Sequence, residues 1–323
     1  MEIQDIILED FKEIKSSVLV IRDIYLVKQW LGKGKFGVVH KAVDITDDQP
    51  VAIKTEKADA EYSSIKHEVR IMSYLFQHKF KELPKIHWYG VQSGFVDFSQ
   101  TSPQVGDEKV TNFSPQVGQS PKDGLRPSRV DAPKAHLPEK FTHLVMCYYE
   151  QNFDSLERIS SDHIKQCIRI LKSIHELFVI HRDIKPQNFM LRGNKLYLID
   201  YGLATFFMDE EGEHVPNKKQ ETITGTPKFV SYYNHIGNTL SRRDDVISLG
   251  YLFIYMLFGK TLPWSEPNSG NIGNALRITK MKSWENISIF TSDFSPIHEY
   301  MKYSYSLSYS DDPDYEFLLS LFG

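Results

Sequence analysis

Several features that would place a protein in a specialised class are scarce in this sequence. Its 323 residues include two cysteines, Cys147 and Cys167, too few for a disulfide framework, so a reducing compartment is expected. No apolar run approaches the roughly 18 residues of a membrane span, and the first residues are acidic where a targeting peptide would be basic. The net charge of −4 lacks the basic footprint of a dedicated nucleic-acid binder. We therefore expect an intracellular protein, cytoplasmic or nuclear, whose partners include no membrane and no nucleic acid.

What is present is the composition of an ordinary globular protein. Hydrophobic residues make up 41% of the chain, charged residues 25% and aromatic residues 13%, which excludes a wholly disordered or low-complexity protein. At roughly 100–200 residues per domain, the length predicts two folded units or one large two-lobed unit.

The beginning of the chain has the pattern of an amphipathic helix. We predict a helical N-terminal extension over residues 1–21, because apolar side chains recur there at helical spacing. The stripe consists of Ile3, Ile7, Phe11, Ile14 and Val18. Two interpretations stay open for this helix, namely packing on the main body or binding a partner.

Residues 94–139 differ in composition from the chain on either side. They are rich in Ser, Pro, Gly and Gln, and the string Ser-Pro-Gln-Val-Gly occurs twice. Low apolar content without a period predicts a mobile insertion, not a domain.

The rest of the chain divides into a strand-rich part, residues 22–149, and a helix-rich part, residues 150–323. Short apolar runs predict antiparallel strands at Tyr25–Leu31, Val38–Val43, Pro50–Lys54, Ile86–Val91 and Thr142–Tyr148. One helix of the first part has a predicted inner face made of Ile65, Val69, Met72 and Phe76. The second part has helical stripes at Ile164–Phe178, Val246–Phe258, Asn271–Lys282, Pro296–Leu307 and Tyr315–Phe322, and a hairpin pairing Phe189–Leu191 with Leu196–Ile199. This order predicts an α+β fold with a β-rich first lobe and an α-helical second lobe.

A glycine-rich string lies between the first two long predicted strands. It contains Gly32, Gly34 and Gly37 in the pattern G-x-G-x-x-G. Its position between two strands disfavours a dinucleotide-binding turn, which leads from a strand into a helix. A glycine-rich hairpin allows backbone N–H groups to approach phosphate oxygens. An ordinary turn is the alternative interpretation of this string alone.

Lys54 ends an apolar strand, and Glu68 follows it 14 residues later on the predicted helix. An ion pair between them would hold the ammonium group toward the α- and β-phosphates of a nucleotide. Glu61, at the start of the same helix, is the competing partner. A solvated lysine at a strand edge is the alternative without any partner.

The most specific string is His-Arg-Asp-Ile-Lys-Pro-Gln-Asn at residues 181–188. Asp183 can orient an attacking hydroxyl and accept its proton, and Lys185 can neutralise the transferring phosphoryl group. Asn188 offers an oxygen to a magnesium ion, which prefers hard oxygen ligands. His181 is assigned a packing role.

Asp200 follows the second strand of the predicted hairpin and begins the string Asp-Tyr-Gly. Asp-x-Gly is common in turns, but 17 residues after Asp183 it predicts the second oxygen ligand of the same magnesium ion, beside Asn188. The catalytic residues are therefore expected to be Asp183, Lys185 and Asn188, with the metal on Asn188 and Asp200.

In this order the strings resemble the eukaryotic protein kinases, and the finer resemblance is to the casein kinase 1 family. The strings that carry it are Gly225–Ser231, Ser241–Tyr251, Leu262–Trp264 and Asp312–Tyr315, and both the family and this chain lack Ala-Pro-Glu after the activation segment. The resemblance covers about residues 22–93 and 140–322. It implies a bilobal kinase fold, with residues 22–149 as N-lobe and 150–323 as C-lobe. It also implies a serine/threonine protein kinase that uses ATP and Mg²⁺ on protein substrates. We further expect a monomer without the long regulatory tail of some relatives.

The resemblance also implies where adenine would bind. Met146 would border the back of the pocket, and Cys147 and Tyr149 would bond the base through their backbone groups. The ring would lie among Leu31, Val39, Ala52 and Leu191.

The family favours serines or threonines preceded by acidic or phosphorylated residues, which requires a cationic pocket. The candidates for that pocket are Arg182, Lys228 and Arg242. Arg243 either joins them or pairs internally with Asp244 or Asp245. Asp245 is expected to accept hydrogen bonds from the backbone of the catalytic loop.

Two departures from the family affect the site. Tyr201 stands where the family has Phe, and Ser231-Tyr232-Tyr233 stands where it has Ser-Ile-Asn. The polar anchor at the third position is therefore lost or moved to Asn234. Two other functions are weighed: a catalytically silent scaffold, which the complete set of site residues disfavours, and a small-molecule phosphotransferase, which the protein-kinase-like string at 225–231 disfavours.

Overall fold

A computed structural model describes residues 19–34, 37–59, 63–94, 139–265 and 272–323 of the chain. The predictions for residues 1–18, for Glu61 and for most of the insertion, residues 95–138, lie outside the described residues. No helix of the described part is long and apolar enough to cross a bilayer.

The first lobe is built on a six-stranded antiparallel sheet. Its strands are β1 Val20–Ile21, β2 Tyr25–Lys33, β3 Val38–Asp44, β4 Gln49–Lys57, β5 Ile86–Ser93 and β6 Lys140–Cys147, in the order β1-β2-β3-β4-β6-β5. Apolar side chains on one face form its small core, made of Ile21, Tyr25, Ala42, Val51, Ile53 and Val145. The strands predicted for this lobe are confirmed, each within three residues at either end.

The helix predicted over residues 1–21 is wrong at its last two residues. Val20 and Ile21 pair with Leu26 and Tyr25, through a turn in which Arg22 and Asp23 have positive φ angles of 56° and 54°. Ile21 is 1% exposed, because it fills the core of the sheet. Burial of this β-branched side chain in the core of the sheet favours a strand over a helix at this position.

Helix α1, Ser64–Gln77, packs against the sheet. It begins after Ser63, whose hydroxyl accepts a hydrogen bond from the Lys66 N–H, as an N-cap does. Its inner face is correctly predicted at Ile65 and Met72, but Phe76 is 70% exposed. Leu75, one position earlier, is buried in its place.

The second lobe is helical. Its helices are α2 Ser161–Glu176, α3 Tyr232–His235, α4 Arg242–Leu257, α5 Ile272–Met281, α6 Trp284–Thr291, α7 Ser295–Ser306 and α8 Tyr315–Ser320. Helix α4 is buried from Arg243 to Met256 and forms the centre of the lobe. The pattern of α2 was predicted to continue to Phe178, which instead lies beyond the helix at a φ of 60° and is half exposed. Helices α3 and α6 are not anticipated by the sequence pattern.

Short strands at the boundary of the two lobes hold the loops of the site. They are β7 Gln151–Asn152, β8 Val179–Ile180, β9 Phe189–Arg192, β10 Lys195–Leu198 and β11 Thr205–Phe206. The predicted hairpin is confirmed as β9 and β10, which pair from Leu198–Phe189 to Lys195–Arg192. The loop between β8 and β9 carries residues 181–188, and Asp200 follows β10. The described chain therefore has the predicted two-lobed α+β architecture.

Candidate active site

A cleft of about 620 Å³ lies between the sheet and the helical lobe. Most residues that the sequence assigns to nucleotide binding and catalysis line it: Leu31, Gly34, Gly37, Val39, Ala52, Lys54, Glu68, Met146, Cys147, Tyr149, Asp183, Lys185, Asn188 and Asp200. They come from both lobes, so packing of the sheet on the helices assembles the site.

Two of the predicted nucleotide contacts, Gly32 and Leu191, are not among the described residues that line the cleft. Gly32 pairs with Val39 within the β2–β3 hairpin. Leu191 is 7% exposed and belongs to the core of the helical lobe. Met190 lines the cleft instead, because successive side chains of a strand point to opposite faces. The prediction of Leu191 is therefore wrong by one position.

Gly37 is required by the close approach of two strands. A Cβ atom at this position would lie 2.1 Å from the backbone oxygen of Thr55 on β4, which no side chain tolerates. The N–H of Gly34 donates to the oxygen of Gly37 at 2.8 Å and closes the turn. At these two positions the hairpin presents backbone to the cleft, as close approach to phosphate oxygens requires.

Lys54 is the central cation of the cleft. Its Nζ lies 2.7 Å from Glu68 Oε2 and 2.7 Å from Asp200 Oδ1, which confirms the predicted pair with Glu68. Burial alone would lower the pKa of Lys54, but the two carboxylates outweigh burial and raise that pKa. Burial alone would raise the pKa of Asp200, but the Lys54 charge outweighs it and lowers that pKa. Lys54 is therefore a charged group that joins α1 to the end of β10.

Asp183 is held by hydrogen bonds from several directions. Lys185 Nζ lies 2.6 Å from Asp183 Oδ2, and the Thr226 N–H and hydroxyl donate to Oδ1 at 2.9 and 2.7 Å. Asn188 Nδ2 donates to the backbone oxygen of Asp183 at 2.8 Å. The three predicted catalytic residues are therefore brought together in one cluster.

Thr226 is a site residue that the sequence interpretation misses. Its hydroxyl oxygen also accepts a hydrogen bond from Lys185 at 3.1 Å, so it connects two of the side chains predicted to be catalytic. The preceding Gly225 has a φ of 101°, and a Cβ there would lie 2.5 Å from the backbone oxygen of Arg182. Glycine at 225 thus lets this segment approach the catalytic loop, and the Gly-Thr pair is the signal that could have indicated it.

Asp245, at the start of α4, fixes the backbone of the loop that carries residues 181–188, which we call the catalytic loop. Its carboxylate accepts hydrogen bonds from the N–H groups of His181 at 2.6 Å and Arg182 at 2.9 Å, which confirms its predicted role. His175 Nε2 lies 3.1 Å from the same carboxylate. His181 packs edge-to-face against Tyr201, with 5.0 Å between ring centroids, in agreement with a packing role.

The donor set of Asn188 and Asp200 fits a magnesium ion. Both side chains line the cleft, and the Ile199 N–H donates to the backbone oxygen of Asn188 at 2.9 Å, so the two positions lie on joined segments. Mg²⁺ is commonly bound by one or two carboxylates together with phosphate oxygens and water. No cluster of three His, Cys, Asp or Glu side chains suited to a metal occurs among the described residues. The candidate ion would thus depend on nucleotide oxygens for the rest of its coordination.

The residues predicted to bind adenine, Met146, Cys147 and Tyr149, lie at the end of β6 and directly after it, and all three line the cleft. Met146 is 9% exposed, and the Cys147 N–H donates to the backbone oxygen of Lys85 at 3.0 Å. The predicted adenine contact of Cys147 is therefore restricted to its carbonyl group. Tyr149 packs on Tyr197 with 4.9 Å between ring centroids.

The three residues predicted for a substrate-phosphate pocket are not brought together around the cleft as expected. Arg242 pairs with Asp312 at 2.9 Å and donates to the backbone oxygen of Ser310 at 2.8 Å, in a separate surface groove. Arg182 Nε donates to the backbone oxygen of Leu203 at 2.5 Å, and Lys228 Nζ lies 4.0 Å from the ring centroid of Tyr255. The placement of Arg242 in this pocket is wrong, because Asp312 binds its guanidinium elsewhere.

Asn234 supplies the polar side chain that the casein kinase 1 pattern has one residue earlier, at the position of Tyr233. It is 3% exposed, and its Nδ2 donates to the backbone oxygen of Thr224 at 3.2 Å. Tyr233 lies under the guanidinium of Arg243, 3.4 Å from its ring centroid, and Arg243 Nε is 4.0 Å from Asp244. Of the open alternatives, the anchor has moved to Asn234, and Arg243 pairs internally.

Comparison with known proteins places the chain in a family. The family model described as "Protein kinase domain" matches residues 138–307, about half of the chain, and the chain belongs to the protein kinase family. It is similar to three casein kinase I homologs of Schizosaccharomyces pombe. Homolog 2 is 27% identical over 318 residues, with 96% of this chain and 64% of the relative covered. Homolog 3 is 28% identical over 312 residues, with 92% and 61% covered, and homolog 1 is 27% identical over 313 residues, with 93% and 60% covered. The chain spans about three-fifths of the length of these relatives, and the predicted resemblance to casein kinase 1 is confirmed.

Proposed function

We propose that the chain is a serine/threonine protein kinase that transfers the γ-phosphoryl group of Mg-ATP to hydroxyl groups of proteins. The observation that carries this proposal is the position of Lys54, 2.7 Å from both Glu68 and Asp200, in the cleft that also contains Asp183. A lysine so held presents its charge toward nucleotide phosphates, and transfer between a nucleotide and a hydroxyl needs positioning and charge stabilisation more than covalent chemistry.

The nucleotide would occupy the part of the cleft between the sheet and β9. The apolar side chains of Val39, Ala52 and Met190 line this part and suit the faces of an adenine ring. Gly34 and Gly37 have no side chains to block a phosphate chain here. The Gly34 N–H already donates to the Gly37 oxygen, so these glycines support the proposal through the space that they leave and not through that N–H.

Asn188 and Asp200 would hold the magnesium ion. When bound, the ion supplies positive charge that neutralises the phosphate oxygens. The remaining work falls to the side chains of the chain itself. Asp183 accepts the proton of the attacking hydroxyl, and Lys185, 2.6 Å from it, places a second positive charge beside the acceptor. Thr226 keeps the Asp183 carboxylate in one orientation through two hydrogen bonds.

We further propose that the substrates are acidic or already phosphorylated proteins. The relatives are named for casein, and Lys228, a partly exposed cation, lies two residues after Thr226 in the sequence. Arg242 is not part of this proposal because it is bound to Asp312. The lobe boundary near residue 149, the monomeric state and the intracellular location stay predictions from the sequence.

The experiment is transfer of labelled γ-phosphate from ATP to casein by the purified chain, followed by phosphoamino-acid analysis. We expect label on serine or threonine in the presence of Mg²⁺ and none when the metal is chelated. Label on tyrosine alone would contradict the serine/threonine assignment. Binding of ATP without any transfer would instead favour the silent scaffold.

A further inference from the structure

Lys282 is a buried lysine outside the catalytic cluster. It follows α5 directly, and its whole residue has 0% exposure. Its Nζ donates to the backbone oxygens of Pro227 at 2.9 Å and Val230 at 2.6 Å, and lies 3.1 Å from His235 Nε2. An ammonium group has three N–H donors, so each donor has one neighbouring acceptor.

The site around Lys282 contains neutral groups where a buried cation usually has a carboxylate. No described ion pair involves Lys282. The ring centroids of Tyr251 and Trp264 lie 5.0 and 5.2 Å from its Nζ, within the range of cation–π attraction. Burial lowers the pKa of His235 to about 4, so its imidazole is neutral near pH 7 and can accept a hydrogen bond. Burial also lowers the pKa of Lys282, whereas the carbonyl oxygens and ring faces favour its charged form.

The two backbone oxygens that Lys282 holds belong to one short stretch, Pro227–Val230. We name it the substrate segment, because it adjoins Thr226 beside Asp183, where the attacking hydroxyl must lie under the proposed function. A second buried side chain binds the same segment, because Trp264 Nε1 donates to the backbone oxygen of Lys228 at 2.8 Å. The segment starts directly after Thr226, which donates twice to the carboxylate of Asp183. Displacement of the segment would therefore be transmitted to both Thr226 and the catalytic aspartate.

We propose that Lys282 is a positioning residue for protein substrates, which fixes the substrate segment relative to Asp183 by binding its carbonyl oxygens. The proposal rests on the proposed kinase function. It assigns Lys282 to engagement of the protein substrate, whereas Lys54 serves the nucleotide. Loss of the Lys282 ammonium group should therefore raise the KM for the protein substrate more than the KM for ATP.

The test compares Lys282→Met with wild type, and Lys280→Met, an exposed lysine two residues earlier, is the matched control. We expect the KM for an acidic peptide to rise about tenfold, the effect of losing hydrogen bonds from a buried charged donor, while the KM for ATP stays unchanged. Amide hydrogen exchange of Phe229 and Val230, whose N–H groups bond to the Thr226 oxygen at 2.8 and 3.0 Å, should become faster. Lys280→Met should match wild type in all three measurements.

An unchanged peptide KM in an active, folded Lys282→Met variant would overturn the proposal, as would an equal loss for peptide and ATP. If Lys282→Met fails to fold, His235→Leu decides, because it removes one acceptor and leaves the two carbonyl bonds. A smaller rise in peptide KM alone supports the proposal, and no change contradicts it. If the wild type transfers no phosphate, the kinase function fails and hydrogen exchange decides the role of Lys282: faster exchange at 229–230 supports it, and unchanged exchange overturns it.

Discussion

The nucleotide end of the cleft and the region behind the substrate segment each hold a lysine, partly buried at Lys54 and fully buried at Lys282, but with different chemistry. Lys54 is held by two carboxylates at 2.7 Å. Lys282 is held by two backbone oxygens and a neutral imidazole. A nucleotide phosphate can compete with the two carboxylates for Lys54, and a metal ion can compete with Lys54 for the carboxylates. Backbone carbonyl oxygens, in contrast, do not titrate and cannot rotate away from the chain.

The different partners of Lys54 and Lys282 indicate different roles for the two lysines. The Lys54 site is suited to exchange partners during binding and catalysis, because Asp200 has 41% of its side chain exposed and can turn to a metal ion. The Lys282 site is suited to hold a backbone segment in one position. Removal of Lys54 should therefore reduce phosphate transfer itself, whereas removal of Lys282 should weaken binding of the protein substrate.

The largest expected effect follows Lys54→Met. Loss of its charge should reduce phosphate transfer by about a hundredfold or more, because nothing else in the described cleft joins Glu68 to Asp200. Breaking this ion pair should cost about 3–5 kcal/mol of stability. Glu68 is 1% exposed and burial raises its pKa, so without Lys54 the carboxyl group is left unpaired or must take up a proton. Steady-state kinetics and chemical denaturation measure the two losses.

Adding Glu68→Gln to Lys54→Met separates these losses. The double variant should recover part of the stability, since no unpaired carboxylate remains, while transfer stays low. Recovery of transfer in the double variant would show that Lys54 acts only as a structural partner of Glu68.

The next effect concerns Asp245, which holds the catalytic loop as Lys282 holds the substrate segment. Asp245→Asn replaces one of the oxygens that bind the N–H groups of His181 and Arg182, so one buried donor meets an amide nitrogen. We expect a loss of about 1–3 kcal/mol in the free energy of unfolding and slower transfer. Asp293→Asn, an exposed aspartate, is the control, and an equal change in both variants would contradict the role of Asp245.

The free energy of unfolding should depend on pH through one buried histidine in each lobe. Burial lowers the pKa of His143 in the first lobe and of His235 in the second to about 4, below the usual value near 6.5. Between pH 6.5 and 4 the unfolded chain therefore binds more protons, and stability falls as the pH falls, by about 1.4 kcal/mol per unit for each group. Denaturation curves at several pH values should show a shallower slope for His143→Gln than for wild type. Identical slopes would show that His143 does not contribute.

The smallest effect concerns Tyr201. Its hydroxyl is buried and has no hydrogen-bond partner in the described part of the chain, so Tyr201→Phe should raise stability by about 1 kcal/mol. Tyr300→Phe is the matched control, because the Tyr300 hydroxyl donates to the backbone oxygen of Val246 at 3.0 Å and its loss should lower stability. Destabilisation by Tyr201→Phe would show that the hydroxyl is bonded in solution.

Those features of the site that depend on short strings could be predicted from the sequence. Lys54, Asp183 and Asn188 lie at fixed places in short motifs, and strand periodicity placed the sheet that carries Lys54. Local patterns also predicted the β9–β10 hairpin that delivers Asp200 to the cleft.

The parts that sequence reasoning missed depend on contacts between distant segments. Arg242 is bound by Asp312, 70 residues away, and Lys282 binds a segment more than 50 residues earlier. Spacing along the chain contains no signal for such partners. The predictions for Leu191 and Phe76 are wrong for a different reason. A shift of one residue on a strand or a helix exchanges an inward position for an outward one.

The most direct test of the central claim is the rate of γ-phosphate transfer from Mg-ATP to casein by wild type and by Asp183→Asn. The variant keeps the shape of the side chain and removes its capacity to accept a proton as a carboxylate. We expect transfer by wild type and a decrease of at least about a hundredfold in the variant, the usual contribution of a positioned general base, with ATP binding unchanged. Equal transfer by the two proteins would contradict the assignment of Asp183, and with it the account of the cleft.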